Sequence, residues 1–270
     1  EFGEWTVISS LILYGVVLAP VISFWNTREI ARGIESTRTA IVGGIVLSVI
    51  GMIIYTIAVI FLSNQTEIKF DHFAIATDDL EKTVINLEKK FKYPFSSGGE
   101  HKMFGTHNRL FRLGDIYLEV IAINPLAAAS QQPRWFDLDN FNGKSRIITW
   151  IASTENILDL VPNIWDNPGE IKKLSRDKLK WDFTVPTRGK MPMGGAAPAL
   201  INWGNTRHPT LSMVDHSCRL ERFLVNTPFA DDLNPILKNI LFDQRIEVNS
   251  SRSISFEAHI STPSGKVVLE

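Results

Sequence analysis

Two charge-free runs constrain this chain more than any other feature. Residues 5–25 (WTVISSLILYGVVLAPVISFW) and 39–62 (TAIVGGIVLSVIGMIIYTIAVIFL) contain no Asp, Glu, Lys or Arg. At about 1.5 Å of rise per residue, either run as a helix spans a hydrocarbon core of about 30 Å. Trp5, Trp25 and Phe61 lie towards the run ends, where aromatic rings favour the membrane interface. Ala40, Gly44 and Ser48 recur at every fourth position, and small residues so spaced let helix backbones approach closely in lipid. The expectation is a transmembrane helical hairpin over residues 1–63, with a lipid bilayer as partner. A hairpin buried in a soluble core is the alternative. The loop 26–38 carries Arg28, Arg32 and Arg38. The positive-inside rule therefore favours this loop as cytoplasmic and puts everything after Leu62 on the non-cytoplasmic side. Asn64-Gln65-Thr66 and Asn249-Ser250-Ser251 read as glycosylation sequons.

Charge excludes some partners. Lys and Arg total 28 against 29 Asp and Glu, a net charge of −1. Nucleic acid is not expected as a partner, because phosphate binding needs a basic excess. One cysteine, Cys218, excludes an intrachain disulfide framework and a Cys-rich zinc site. The basic run Lys172, Lys173, Arg176, Lys178, Lys180 is read as a solvated face. Gly98-Gly99 and Gly194-Gly195 read as turns without the strand-to-helix context of a phosphate loop.

After Ser63 the periods change. Residues 68–76 (IKFDHFAIA) read as a strand. Asp78 or Asp79 then offers an N-cap to a helix carrying Leu80, Val84, Leu87 and Phe91 on one face. Strands at 106–113 and 116–123 follow, joined in hairpin fashion at Gly114-Asp115. This β-α-β-β opening recurs at 146–153 and at 219–226, with strand starts roughly 75 residues apart. Further strands are expected at 180–186, 199–203, 245–248, 253–260 and 266–269. The fold class is α+β: repeated β-α-β-β(-β) modules forming a curved mixed or antiparallel sheet cup over 64–270. An unrelated α+β sandwich with the same alternation is the competing reading.

The stretches FDHFAIATDDLEKTVINLEKKF and GGEHKMFGTHNRLFRLGDIYLEVIAI, with ALINWGNTRHPT later, resemble the glyoxalase-like branch of the vicinal oxygen chelate superfamily. The resemblance covers residues 68–225 and does not account for the two apolar runs. It implies a cup that often holds a divalent metal, which chelates neighbouring substrate oxygens. By motif position, His72, His107 and Glu119 are the candidate metal ligands. Two imidazoles and a carboxylate suit Zn, Mn, Fe or Ni and leave positions open for substrate. Glu119 shares an apolar strand face with Tyr117 and Ile121, a costly place for a carboxylate without a partner.

Each ligand has a plainer reading: His72 bonded to backbone, Glu119 paired with Arg109 or Arg112, and His107 at the rim touching substrate. His101 and Glu119 are the candidate acid–base residues. Asn108, Arg109, Trp203, Arg207 and His208 are candidate substrate contacts, Arg207 being suited to a carboxylate. His216 and His259 are read as structural. Two functions stay open: a lyase, isomerase or dioxygenase acting on a small oxygen-bearing molecule, and a non-catalytic cup that binds, sequesters or senses one. A homodimer is compatible with either.

Overall fold

The computed structural model describes residues 46, 49–56, 67–127, 133–176 and 178–270. Residues 49–56 are helical. The expected spans 5–25 and 39–62 otherwise lie outside the described residues. Among those described, no helix is long and apolar enough to cross a membrane. The chain divides into two units, 1–65 and 66–270, and the second carries the structure described below.

Its first module runs β1 (Lys69–Ala76), α1 (Leu80–Phe91), β2 (Gly99–His101), β3 (Thr106–Leu113) and β4 (Ile116–Ile123). The second runs β5 (Arg146–Ser153), α2 (Ile157–Leu160), β6 (Glu170–Arg176), β7 (Leu179–Val185) and β8 (Ala199–Asn202). These form one eight-stranded mixed sheet in the order β2-β3-β4-β1-β5-β8-β7-β6. In each module the first strand lies parallel to the last, β1 beside β4 and β5 beside β8. Antiparallel β1 and β5 join the modules at the centre. The sheet curls until its edge strands β2 and β6 approach each other, which makes a nearly closed cup.

The hydrophobic pattern dictates both faces. Phe73, Ile75, Phe111, Leu118, Val120 and Trp150 point outward into the larger core. There they meet Leu80, Val84, Leu87 and Phe91, the one apolar stripe of α1. Asp79 caps that helix, its side chain accepting from Lys82 N at 3.0 Å. The rest of the convex face is covered by a second sheet. It is built from β9 (Arg219–Thr227), α3 (Ala230–Ile240), β10 (Ile246–Ser250), β11 (Ser255–Thr262) and β12 (Gly265–Leu269), in strand order β10-β9-β11-β12. Phe223 of β9 packs on Phe70 and Phe73 of β1, at 5.2 and 5.3 Å between ring centres. The concave face carries Ala74, Ala76, Ile121, Ile151, Phe183, Ala199 and Ile201, leaving room that larger side chains would fill.

Two modules therefore repeat as expected, while the third strand start at Arg219 belongs to the separate four-stranded sheet. The basic run Lys172, Lys173, Arg176, Lys178 and Lys180, expected as a solvated face, runs from β6 to the start of β7, and its Arg176 lines the cup. The expected helix after β5 is only four residues long. It passes into a short 3-10 turn at Val161–Asn163 with Pro162 at its start, because proline cannot donate to the preceding turn.

Candidate active site

A bulge in β1 creates the centre of the site. The register with β5 slips between Phe70 and His72, so Asp71 is an extra residue. Strict alternation would send Asp71 and His72 to opposite faces; the bulge puts their side chains in contact. His72 Nδ1 donates to Asp71 Oδ1 at 2.6 Å. The other oxygen, Asp71 Oδ2, accepts from Trp203 Nε1 at 2.8 Å and faces His208 Nε2 at 3.3 Å. Burial pushes the Asp71 carboxyl up, yet hydrogen bonds from His208 and His72 outweigh it and hold the group ionised.

The opposite nitrogen, His72 Nε2, faces Glu119 Oε2 at 3.6 Å. The imidazole also stacks on Tyr117, 4.3 Å between ring centres. Burial disfavours the imidazolium, but Asp71 and then Glu119 more than offset this and raise the His72 pKa above 6.5. Glu119 moves the other way: burial raises it, and the His72 contact brings it down to about 2. The three residues form a carboxylate–imidazole–carboxylate row, 5 % exposed or less in each case.

β3 adds a second row. Asn108 Nδ2 donates to Glu119 Oε1 at 2.6 Å and reaches His101 Nε2 at 3.5 Å. His101 Nδ1 meets Thr106 Oγ1 at 3.1 Å. Burial dominates at His101 and lowers its pKa to about 4, so the ring is neutral at physiological pH. Asn108 Oδ1 accepts from Gly99 N at 2.9 Å and from Arg176 Nη1, across the seam from β6, at 2.8 Å. Gly98, at φ +63°, is needed here: a Cβ would sit 1.8 Å from the Asn108 carbonyl oxygen.

These groups surround a cavity of about 30 Å³, walled by Trp135, Phe136, Trp181, Phe183 and Trp203. It has room for one or two waters. A cleft of about 250 Å³ adjoins it at His101 and Trp181, between β2 and β6, and a wider one of about 570 Å³ at Trp181 and Trp203.

Of the residues expected at the site, the structure brings together His72, Glu119, His101, Asn108, Trp203 and His208. Three stay apart from them. His107 and Arg109 alternate with the inward Thr106, Asn108 and Leu110, which puts them on the other face of β3. Arg109 pairs there with Glu81 of α1 at 2.6 Å. Arg207 is exposed, and it does not line the cavity. Sequence reasoning missed Asp71, because periodicity hid the bulge, and Arg176, because its strand read as a solvated run.

The repeat tests the donor set for a metal. Thr77 N donates to Ile121 O as Thr154 N does to Ile201 O. Each of the two threonine hydroxyls then accepts from the backbone N–H two residues on. Counting back from these matched positions sets Thr149 opposite His72 and Ala199 opposite Glu119. Ala199 offers no donor atom, and the Thr149 hydroxyl donates to Gly195 O at 3.2 Å. Among the described residues no three His, Cys, Asp or Glu side chains could hold a metal ion together. This donor set does not fit a resident metal, for which three protein ligands are usual at catalytic zinc.

The sequence matches the glyoxalase-like domain family over residues 70–241, more than half of the chain. The chain belongs to the glyoxalase-like domain family. No curated protein matches it. Among solved structures, it is similar to a hypothetical protein from Staphylococcus aureus at 14 % identity and TM-score 0.54, covering 75 % of this chain and 99 % of that one. It is similar also to a methylmalonyl-CoA epimerase from Streptomyces coelicolor at 15 % identity and TM-score 0.36, covering 52 % and 97 %. The first likeness is one of fold alone, and the second is too loose to carry an argument.

Proposed function

We propose that this domain is an enzyme of the isomerase or lyase type, moving a proton at a carbon beside a carbonyl in a small oxygen-bearing molecule. The observation that supports it is the buried Glu119–His72 pair at 3.6 Å beside a cavity. In the resting pair, His72 is the acid and Glu119 the base. A substrate carbonyl that draws the His72 Nε2–H to itself removes the contact that depresses Glu119. Its basicity then rises as the acid is engaged. The proton passes from substrate carbon to Glu119 while the carbonyl oxygen takes the proton of His72, giving a neutral enol. Asp71 holds the imidazole by Nδ1, and Asn108 fixes the Glu119 carboxylate in plane. His101, neutral beside Asn108, is a polar wall in this scheme. His107, placed on the far face of β3, takes no step in it.

The test is deuterium exchange in D2O, followed by proton NMR, on pyruvate, hydroxyacetone and methylglyoxal. Wild type should exchange one of these faster than Glu119→Gln does. Equal rates across all three would sink the proton-transfer reading. The non-catalytic cup is the second reading, favoured by a cavity whose carboxylates are already satisfied internally. Binding without exchange would support it.

For location, the two charge-free runs support anchoring in a bilayer with the domain on the non-cytoplasmic side. Extraction of the full chain by carbonate washing would count against an anchor. Ile50→Arg should weaken insertion, by about 2.5–3.5 kcal/mol on translocon scales.

A further inference from the structure

Among the described residues, two buried side-chain polar atoms have no hydrogen-bond partner: Trp165 Nε1 and Arg176 Nε. Arg176 alone of the two lines the cavity. Its guanidinium is already aimed, because Nη1 is fixed on Asn108 Oδ1 at 2.8 Å. The position is built tightly from both sides of the seam. A Cβ at Gly99 would come within 2.4 Å of Arg176 Cδ, so glycine there is what admits the side chain. A buried donor left unpaired is destabilising, and only an acceptor atom recovers the loss.

The acceptors already in the cavity are committed. Glu119 Oε1 takes Asn108 and its Oε2 faces His72; Asp71 Oδ1 takes His72 and its Oδ2 takes Trp203.

We propose that Arg176 is the anion-binding residue of the cup, and that the ligand is a small carboxylate-bearing molecule with the carboxylate oxygen on Nε. A phosphate dianion fits less well: a single guanidinium would face it, with two carboxylates nearby. The inference rests on the proposed function, to which it adds the substrate class: an acid whose carboxylate lies beside the carbonyl on which His72 and Glu119 act. Arg176 then supplies in this chain the fixed positive charge that the incomplete donor set does not gather from a metal.

The experiment follows the arginine Nε–H signal of the full-length chain by nitrogen–proton NMR, with oxalate, acetate and the neutral oxamide as probes. The Arg176 signal is assigned by its loss in Arg176→Lys. Oxalate should shift it downfield and quench tryptophan fluorescence, since three of the cavity walls are Trp135, Trp181 and Trp203. Oxamide should do neither. Arg176→Met should weaken oxalate at least tenfold while the tryptophan emission without ligand stays as in wild type; Arg176→Lys should keep part of the affinity. Glu119→Gln should bind oxalate as well as wild type or better, having lost a negative charge. That result holds even where exchange chemistry is absent, so the two readings fail separately. An Nε–H signal unmoved by either carboxylate, meaning a water partner only, overturns the proposal. Equal oxalate binding by Arg176→Met does so as well.

Discussion

Asp71→Asn is the substitution that most directly probes how the site is held together. Asp71 accepts two short hydrogen bonds, from His72 at 2.6 Å and Trp203 at 2.8 Å, and faces His208 at 3.3 Å. Asparagine keeps one acceptor oxygen and turns an NH2 group towards one of those donors. One charge-assisted bond is lost, and a buried imidazolium loses the nearer of its two counter-charges. Removing one partner of a buried ion pair costs about 3–5 kcal/mol. The pH profile identifies the cause. The Asp71 pKa is depressed in the fold, so its contribution is present above the unfolded value near 3.8 and fades as pH falls below it. The His72 pKa is raised, so its contribution is complete below 6.5 and fades as pH climbs through the folded value. The deficit of the variant should therefore be largest between about pH 4 and 6.5 and shrink on both sides. Urea unfolding of wild type and variant from pH 3 to 9 measures it. A deficit below about 1 kcal/mol, or one that does not vary with pH, would refute the ion-pair account.

Other outcomes follow from the same geometry. Gly98→Ala should destabilise by at least about 2 kcal/mol, since the new Cβ meets the Asn108 carbonyl at 1.8 Å with φ at +63°; chemical denaturation reads this, and Gly143→Ala, at φ +92° but with open space around it, separates backbone strain from the clash. His107→Ala should leave divalent-ion affinity unchanged, because the residue faces away from His72 and Glu119; a loss in a zinc titration would restore it to the site. A fragment starting at residue 64 should unfold in one cooperative step followed by circular dichroism, since the unit from Thr66 onward has its own core.

How much of this was legible depended on how far each segment follows a simple period. The strands at 106–113, 116–123 and 146–153 were found to the residue, because alternating apolar positions and a Gly-Asp turn leave one register. α1 was found from its stripe and its aspartate cap. β2 and β6 were not. One is three residues long, and the other has only Ile171 and Leu174 as apolar residues, three apart, at a sheet edge, where both faces are partly wet and the hydrophobic signal fades. The site divides in the same way. His72 and Glu119, expected as metal ligands together with His107, face each other at 3.6 Å, while His107 lies on the other face of β3. Asp71 was hidden by a bulge that no periodicity reports, and Arg176 by the strand that went unrecognised.

The repeat explains why the cup is polar on one side only. Equivalent positions in the two modules carry His72 and Thr149, and Glu119 and Ala199, so the modules share a backbone but not a chemistry. The first supplies the acid–base row and the second supplies apolar walls through Trp181, Phe183 and Ile201. What the second module adds in charge comes through Arg176, which enters across the seam between β6 and β2 rather than from the strand that mirrors β1. A cup assembled this way gathers polar groups from two directions, with the accepting carboxylates on the β1 side and the donating guanidinium on the seam side. In the proposed reading, a small acid lying between them meets His72 at its carbonyl and the guanidinium at its acid group, and the asymmetry between modules sets which way round it binds.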